Sequence, residues 1–141
     1  MTKVFLDSNI LISSICSTDA RSNPNKIFKL REDKIIEIYV STKVTEECRE
    51  NVKSRFPSFQ EECEELLYNC KFLNDCISPY NNIEIMGLPS IDKLIVNTAI
   101  FNGMDFFITG NKNDFINLYG NKYDKTIIMS LKDFLSEFNI S

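Results

Sequence analysis

The chain has 141 residues, 43% hydrophobic and 26% charged, a composition that supports one hydrophobic core and predicts a single domain over residues 1–141. It contains no histidine, which excludes Ser-His-Asp and Cys-His hydrolases, imidazole general acid/base nucleases and histidine-ligated metal sites; any chemistry must run on carboxylates. The formal net charge of -4 argues against gripping nucleic acid by bulk electrostatics, while leaving room for a local basic patch beside an acidic site.

The first apolar run, Val4 to Leu6, reads as a strand buried on both faces that stops abruptly at Asp7. A short helix from Asn9 to Ile15 follows, and Asp7 is a residue suited to cap it. Ile35 to Val40 (IIEIYV) reads as the next strand. In the helix after it, taken at about 100° per residue, Val44, Cys48 and Val52 form a buried stripe. Glu46 lies roughly opposite that stripe and is expected in solvent; Glu47 lies at its boundary and can reach an edge crevice. After Phe56-Pro57, Ser58 with Glu61 three residues on reads as a capping box, and Phe59, Cys63, Leu66, Leu67 and Cys70 as one face of an amphipathic helix. Ser78 to Asn82 (SPYNN) and Gly87 to Pro89 are turn chemistry. A helix from Ile91 to Asn102, stopped by Gly103, sets Ile91, Leu94, Ile95, Thr98 and Ala99 on its core stripe. Asp92 falls about 90° from that stripe in the first turn, where the macrodipole favours an anion. Val96 and Ile100 lie behind the stripe, so this helix is expected to be buried on two sides, as a dimer face or as a central helix of the monomer. Phe106 to Thr109 (FFIT) and Thr126 to Met129 (TIIM) complete the strands.

Strands alternating with helices predict an α/β fold, a three-layer sandwich whose central parallel sheet of four or five strands is flanked by helices. Right-handed crossovers bring the carboxyl ends of parallel strands to one edge, where ligands bind. At that edge the chain offers Asp7, Glu47, Asp92 and the segment Asn111 to Asp114 (NKND). Ionised carboxylates converging there repel one another unless a cation lies between them, and hard oxygen donors without imidazole or thiolate select Mg²⁺ or Mn²⁺. The five cysteines, Cys16, Cys48, Cys63, Cys70 and Cys76, are odd in number and form no CxxC, so reduced, mostly buried thiols are expected. No apolar run approaches the roughly 18 residues of a membrane span, and no basic segment leads into a signal-type stretch. A cytoplasmic location without a membrane partner is expected.

VFLDSNILIS, then STKVTEEC, then IDKLIVNTAIFNGMDFFITGNKNDF resemble the successive motifs of the PIN-domain family, in order and spacing over nearly the whole chain. The resemblance implies a small α/β protein with a central parallel sheet, and a ribonuclease whose Mg²⁺ or Mn²⁺ is held by three or four acids. Asp7 matches the first acid, Asn9 the polar residue that supports it, Glu47 the second acid and Asp92 the third. Thr109 matches the small hydroxyl residue after the last core strand. The fourth acid departs from the pattern TGD or TRN followed by DF, because this chain reads Thr109-Gly110-Asn111 and then Asp114-Phe115. Either Asn111 ligates through its amide oxygen or a water, or Asp114 supplies the charge. The implied catalytic set is Asp7, Glu47, Asp92 and Asp114, with one or two ions, and Lys43, Lys93 and Lys112 are close enough in sequence to meet an RNA backbone. Small PIN domains of this length resemble the VapC-like toxin ribonucleases of bacterial toxin-antitoxin pairs, which implies an antitoxin protein as partner and a homodimer. The competing expectation is a degenerate PIN domain that binds RNA or a partner protein without cleavage. An aspartyl-phosphate phosphatase would need a second acid two residues after Asp7, where this chain has Asn9.

Overall fold

In the computed structural model, which describes residues 1–77 and 80–138, the first half runs β1 (Thr2–Leu6), α1 (Ser8–Cys16), α2 (Asn23–Glu32), β2 (Ile36–Ser41), α3 (Thr42–Arg55), α4 (Gln60–Tyr68) and β3 (Lys71–Leu73). The second half runs α5 (Ile83–Met86), α6 (Ser90–Phe101), β4 (Phe106–Ile108), α7 (Lys112–Phe115), β5 (Lys122–Tyr123), β6 (Thr126–Met129) and α8 (Leu131–Glu137). The strands form one six-stranded sheet in the order β3-β2-β1-β4-β6-β5. The pairs β2·β3, β1·β2, β1·β4 and β4·β6 are parallel, and β5 pairs antiparallel with β6. The parallel part therefore has five strands, the upper of the expected four or five, and β5 adds a two-residue edge that folds back through Asp124, at φ +54.

β1 is central because Val4, Phe5 and Leu6 are wholly buried and can be covered on both faces only between helical layers. Its register with β4 stacks Phe5 against Phe107, ring centroids 5.6 Å apart, and Phe107 in turn meets Phe115 at 5.4 Å, which ties α7 to the sheet. α3 begins where the Ser41 hydroxyl accepts from the Val44 N–H (3.4 Å) and the Asp75 carboxylate accepts from the Lys43 N–H (3.0 Å). Val44, Cys48 and Val52 form its buried stripe, as the helical wheel anticipates.

Two local expectations are corrected. Ser58 makes no capping bond: Pro57 starts a tight 3-10 turn over Pro57–Phe59, and α4 begins only at Gln60, so Glu61 lies in its first turn and Cys70 beyond its end. Ile91 is 46% exposed, since the first turn of α6 stands proud of the core that receives Ile95, Val96, Ala99 and Ile100. Those four are buried within a single chain, so α6 is a central helix and its second apolar face needs no partner copy. Past Asn102, Gly103 adopts φ +66, the left-handed conformation that ends the helix. Of the turn SPYNN, Ser78 and Pro79 lie outside the described residues; Asn82 caps α5 through its side-chain oxygen and the Glu84 N–H (2.8 Å). Among the described residues no disulfide joins the cysteines; Cys48 and Cys63 are buried and Cys16, Cys70 and Cys76 half-buried. Among the described residues no helix is long and apolar enough to cross a membrane.

Candidate active site

The carboxyl ends of β1, β4 and β6 are joined by backbone bonds. The Asp7 N–H donates to the Ile108 carbonyl (3.0 Å) and the Thr109 N–H to the Met129 carbonyl (3.3 Å). Asp7 thus leaves the sheet with its backbone already fixed, and it is only 5% exposed. Its Oδ1 accepts from the Ser8 N–H (2.8 Å), capping α1, and its Oδ2 accepts from the Thr109 hydroxyl (2.8 Å). Capping α1 and binding the end of β4 are therefore divided within this carboxylate, one oxygen serving each. Burial pushes its carboxyl above the ordinary range, against the downward pull of the two hydrogen bonds.

Glu47 is half-buried on α3, while Glu46 is exposed and paired with Lys43 (3.8 Å). Burial raises the Glu47 carboxyl and the neighbouring charge of Asp7 raises it further; the Ser8 hydroxyl, 3.4 Å from Glu47 Oε1, and Lys43 oppose the shift. Asp92 stands half-buried in the first turn of α6. Its carboxyl is pushed up to about 7, first by burial, then by a hydrogen bond to Asp114, then by the charges of Asp114, Asp7 and Glu47. Asp114 moves the other way, held low by hydrogen bonds from Asp92 and Asn111. A proton retained on Asp92 is thus donated to the Asp114 carboxylate. Asp92 thus feels all three other acids, which follow β1 or stand on α3 and α7, and Glu47 feels Asp7.

Asn111 stands differently from an open ligand. Its amide nitrogen donates to Asp114 Oδ2 (2.9 Å) and its amide oxygen accepts from the Asp114 N–H (3.3 Å), so both ends of the amide are turned onto Asp114. Asn9 supports the site through the loop after β4: its Oδ1 accepts from the Gly110 N–H (2.9 Å). A Cβ at Gly110 would stand 3.2 Å from that oxygen, which is why a residue without one allows the approach. Of the lysines, Lys43 lies beside Glu46 and influences Glu47, Lys93 is half-buried on α6, and Lys112 is exposed at the start of α7. Asp114 also borders a 440 Å³ cleft with Ile83, Leu88, Asn117 and Leu118.

Sequence reasoning did not anticipate Ser8, which serves both Asp7 and Glu47, nor Asp75 at the start of α3, nor Tyr119, whose hydroxyl donates to the Thr109 carbonyl (2.8 Å). Ser8 follows directly from its place after the first acid; the other two leave no periodic signal.

The donor set suits a hard divalent cation. Its charged groups are carboxylates, histidine is absent from the chain, and the buried Cys48 thiol is engaged with Cys63, Sγ to Sγ 3.7 Å. Asp92 is raised to about 7 first by burial and then by Asp114, Asp7 and Glu47, and a cation would offset the contribution of those three acids. Among the described residues, no group of three or more acids or cysteines stands ready-formed around one cation position, so the acids share a field without a closed coordination shell.

No curated protein matches the sequence. In fold the chain is similar to VapBC2 from Rickettsia felis, solved bound to a DNA fragment from their promoter, with a TM-score of 0.66 and 15% identity over 92% of this chain and 98% of that one. It is similar also to VapBC-1 from nontypeable Haemophilus influenzae, with a TM-score of 0.58 and 15% identity over 93% of this chain and 99% of that one. The PIN domain family profile matches residues 3–113, a span that takes in Asp7, Glu47, Asp92 and Asn111 and stops one residue short of Asp114. With the sheet order, the edge-clustered acids and this match in agreement, the chain belongs to the PIN-domain family.

Proposed function

We propose that the protein is a Mg²⁺- or Mn²⁺-dependent endoribonuclease and the toxin of a toxin-antitoxin pair, acting in the cytoplasm as a single PIN domain over residues 1–141. The observation that carries the reading is the convergence of charge on Asp92, whose carboxyl is raised to about 7 by burial and then by Asp114, Asp7 and Glu47. Asp7, Glu47, Asp92 and Asp114 would hold the cation, with Asn111 gripping Asp114 in place of a fourth-ligand role of its own. A divalent ion so held supplies Lewis acidity toward water and the scissile phosphate. The chain's own groups do the rest. Thr109 and Ser8 keep Asp7 oriented with one oxygen bonded to each. With a cation held there, Asp92 would serve as an ionised ligand, its charge offset by the ion against burial and the neighbouring acids. Hydrolysis forms a bond from water oxygen to phosphorus and breaks the bond to the 3′-oxygen, which takes a proton, leaving a 5′-phosphate and a 3′-hydroxyl. Lys43, Lys93 and Lys112 are available to the RNA backbone.

The toxin assignment rests on likeness to two VapBC structures, and it brings with it an antitoxin protein as partner. The test is cleavage of RNA by purified protein with Mg²⁺, Mn²⁺ or EDTA. Wild type should cut only with the cation, Asp92→Asn should not cut, and Glu46→Gln should match wild type. Equal loss in both variants would overturn the choice of Glu47 over Glu46. A protein that binds Mn²⁺ and cuts no RNA would be a degenerate PIN domain that acts by binding.

A further inference from the structure

Thr109 is completely buried at the point where the chain leaves β4. Its N–H still follows the sheet and donates to Met129, but its carbonyl projects past the last rung of the ladder. A buried carbonyl without a donor costs stability, and here the donor is the Tyr119 hydroxyl at 2.8 Å. The Thr109 side chain is equally committed. The Asn111 N–H donates into its Oγ1 (3.1 Å), and because a hydroxyl has a single proton, that proton is left for Asp7 Oδ2. The segment carrying Asp114 is therefore attached to Thr109 at both ends, by the Asn111 N–H before α7 and by the Tyr119 hydroxyl after it.

We propose that Tyr119 is a positioning residue of the acidic site. Its hydroxyl fixes the Thr109 carbonyl, and through Thr109 it fixes the Asp7 carboxylate and the turn that presents Asp114. The inference rests on the reading of these acids as cation ligands, so the experiment separates the two. Mn²⁺ binding to the full chain is measured by electron paramagnetic resonance of the free ion, with cation-free melting temperatures as a check on folding. Wild type should bind and Asp7→Asn should lose binding. Tyr119→Phe, which deletes one oxygen and keeps the ring, should bind about tenfold more weakly, the scale on which groups behind metal ligands act. Its RNA cleavage should fall at limiting Mn²⁺ and recover at saturating Mn²⁺. Tyr123→Phe is the control, because that hydroxyl bonds Glu84 on the neighbouring α5; it should keep wild-type Mn²⁺ affinity even where its melting temperature drops.

Thr109→Val keeps the carbonyl and deletes the relay, and should weaken Mn²⁺ binding by itself. Adding Tyr119→Phe to it should cost much less than Tyr119→Phe costs alone, as for residues acting through one another. Wild-type affinity in Tyr119→Phe alongside a defective Asp7→Asn overturns the role of Tyr119 and leaves the acids as ligands. Normal affinity in Thr109→Val overturns the relay even if Tyr119→Phe fails to fold. Wild type and Asp7→Asn both indifferent to Mn²⁺ overturn the ligand reading and the inference together.

Discussion

Asp114 bonds Asp92 while Asn111 grips Asp114 from the other side, so charge changes at these two positions should act in different ways. Asp114→Asn should remove most cleavage at every Mg²⁺ concentration, because a hard cation loses a charged donor. Asn111→Asp should add little activity and should lower the cation-free melting temperature, since it exchanges an amide donor for a like charge against Asp114. Cleavage titrated with Mg²⁺ decides the matter: a gain at low Mg²⁺ from Asn111→Asp would make position 111 the ligand. The difference between Glu46 and Glu47 was readable beforehand because a helix turns at a fixed angle and the buried stripe of Val44, Cys48 and Val52 sets the reference. The bond from Tyr119 to the Thr109 carbonyl was not readable, because no repeat or spacing signals a side chain that reaches back to a strand end.

α6 holds Asp92 at its first turn and is buried from Ile95 to Ile100. Ile100→Ala should therefore cost about 2–5 kcal/mol in urea unfolding, the range for truncating a core isoleucine. The loss should be the same at low and high protein concentration, as the burial is within one chain; a concentration-dependent midpoint would make that face intersubunit. Ser41→Ala, which removes the side-chain cap of the helix bearing Glu47, should cost about 1 kcal/mol in the same measurement. Long, strongly periodic elements such as α3 and α6 declared themselves in the sequence. β3 and β5 did not: Lys71 and Phe72 are exposed, Lys122–Tyr123 is two residues long, and both strands sit at sheet edges, where pairing and not an apolar pattern defines them. The capping box at Ser58 was a pattern that Pro57 overrode by starting a tighter turn.

For the molecule as a whole, the acidic site links stability to pH. With its folded-state carboxyl raised from 3.8 to about 7, chiefly by burial, Asp92 takes up a proton on folding. Its contribution to stability is thus complete below its unfolded value and is lost as pH rises through about 7. Asp7 and Glu47 act in the same sense and Asp114 in the opposite one. In EDTA, the wild-type melting temperature should fall more steeply from about pH 4 to 7 than that of Asp92→Asn, and Mn²⁺ should flatten the wild-type slope. Parallel profiles for the two proteins in EDTA would show that Asp92 does not hold this proton.

The strand order also governs when the site comes into being. β1 is the sheet's centre, yet one of its two neighbours, β4, is made far later, and Thr109 follows Asp7 by 102 residues. While the chain is being synthesised, Asp7 and Glu47 emerge with no Thr109 hydroxyl, no α6 and no Asp114 to meet them. Closing so long a loop is slow and brings no reward until its far end has been translated. On the proposed activity, the nascent enzyme is inert beside the message that encodes it, a latency set by the order of its strands before any inhibitor has bound.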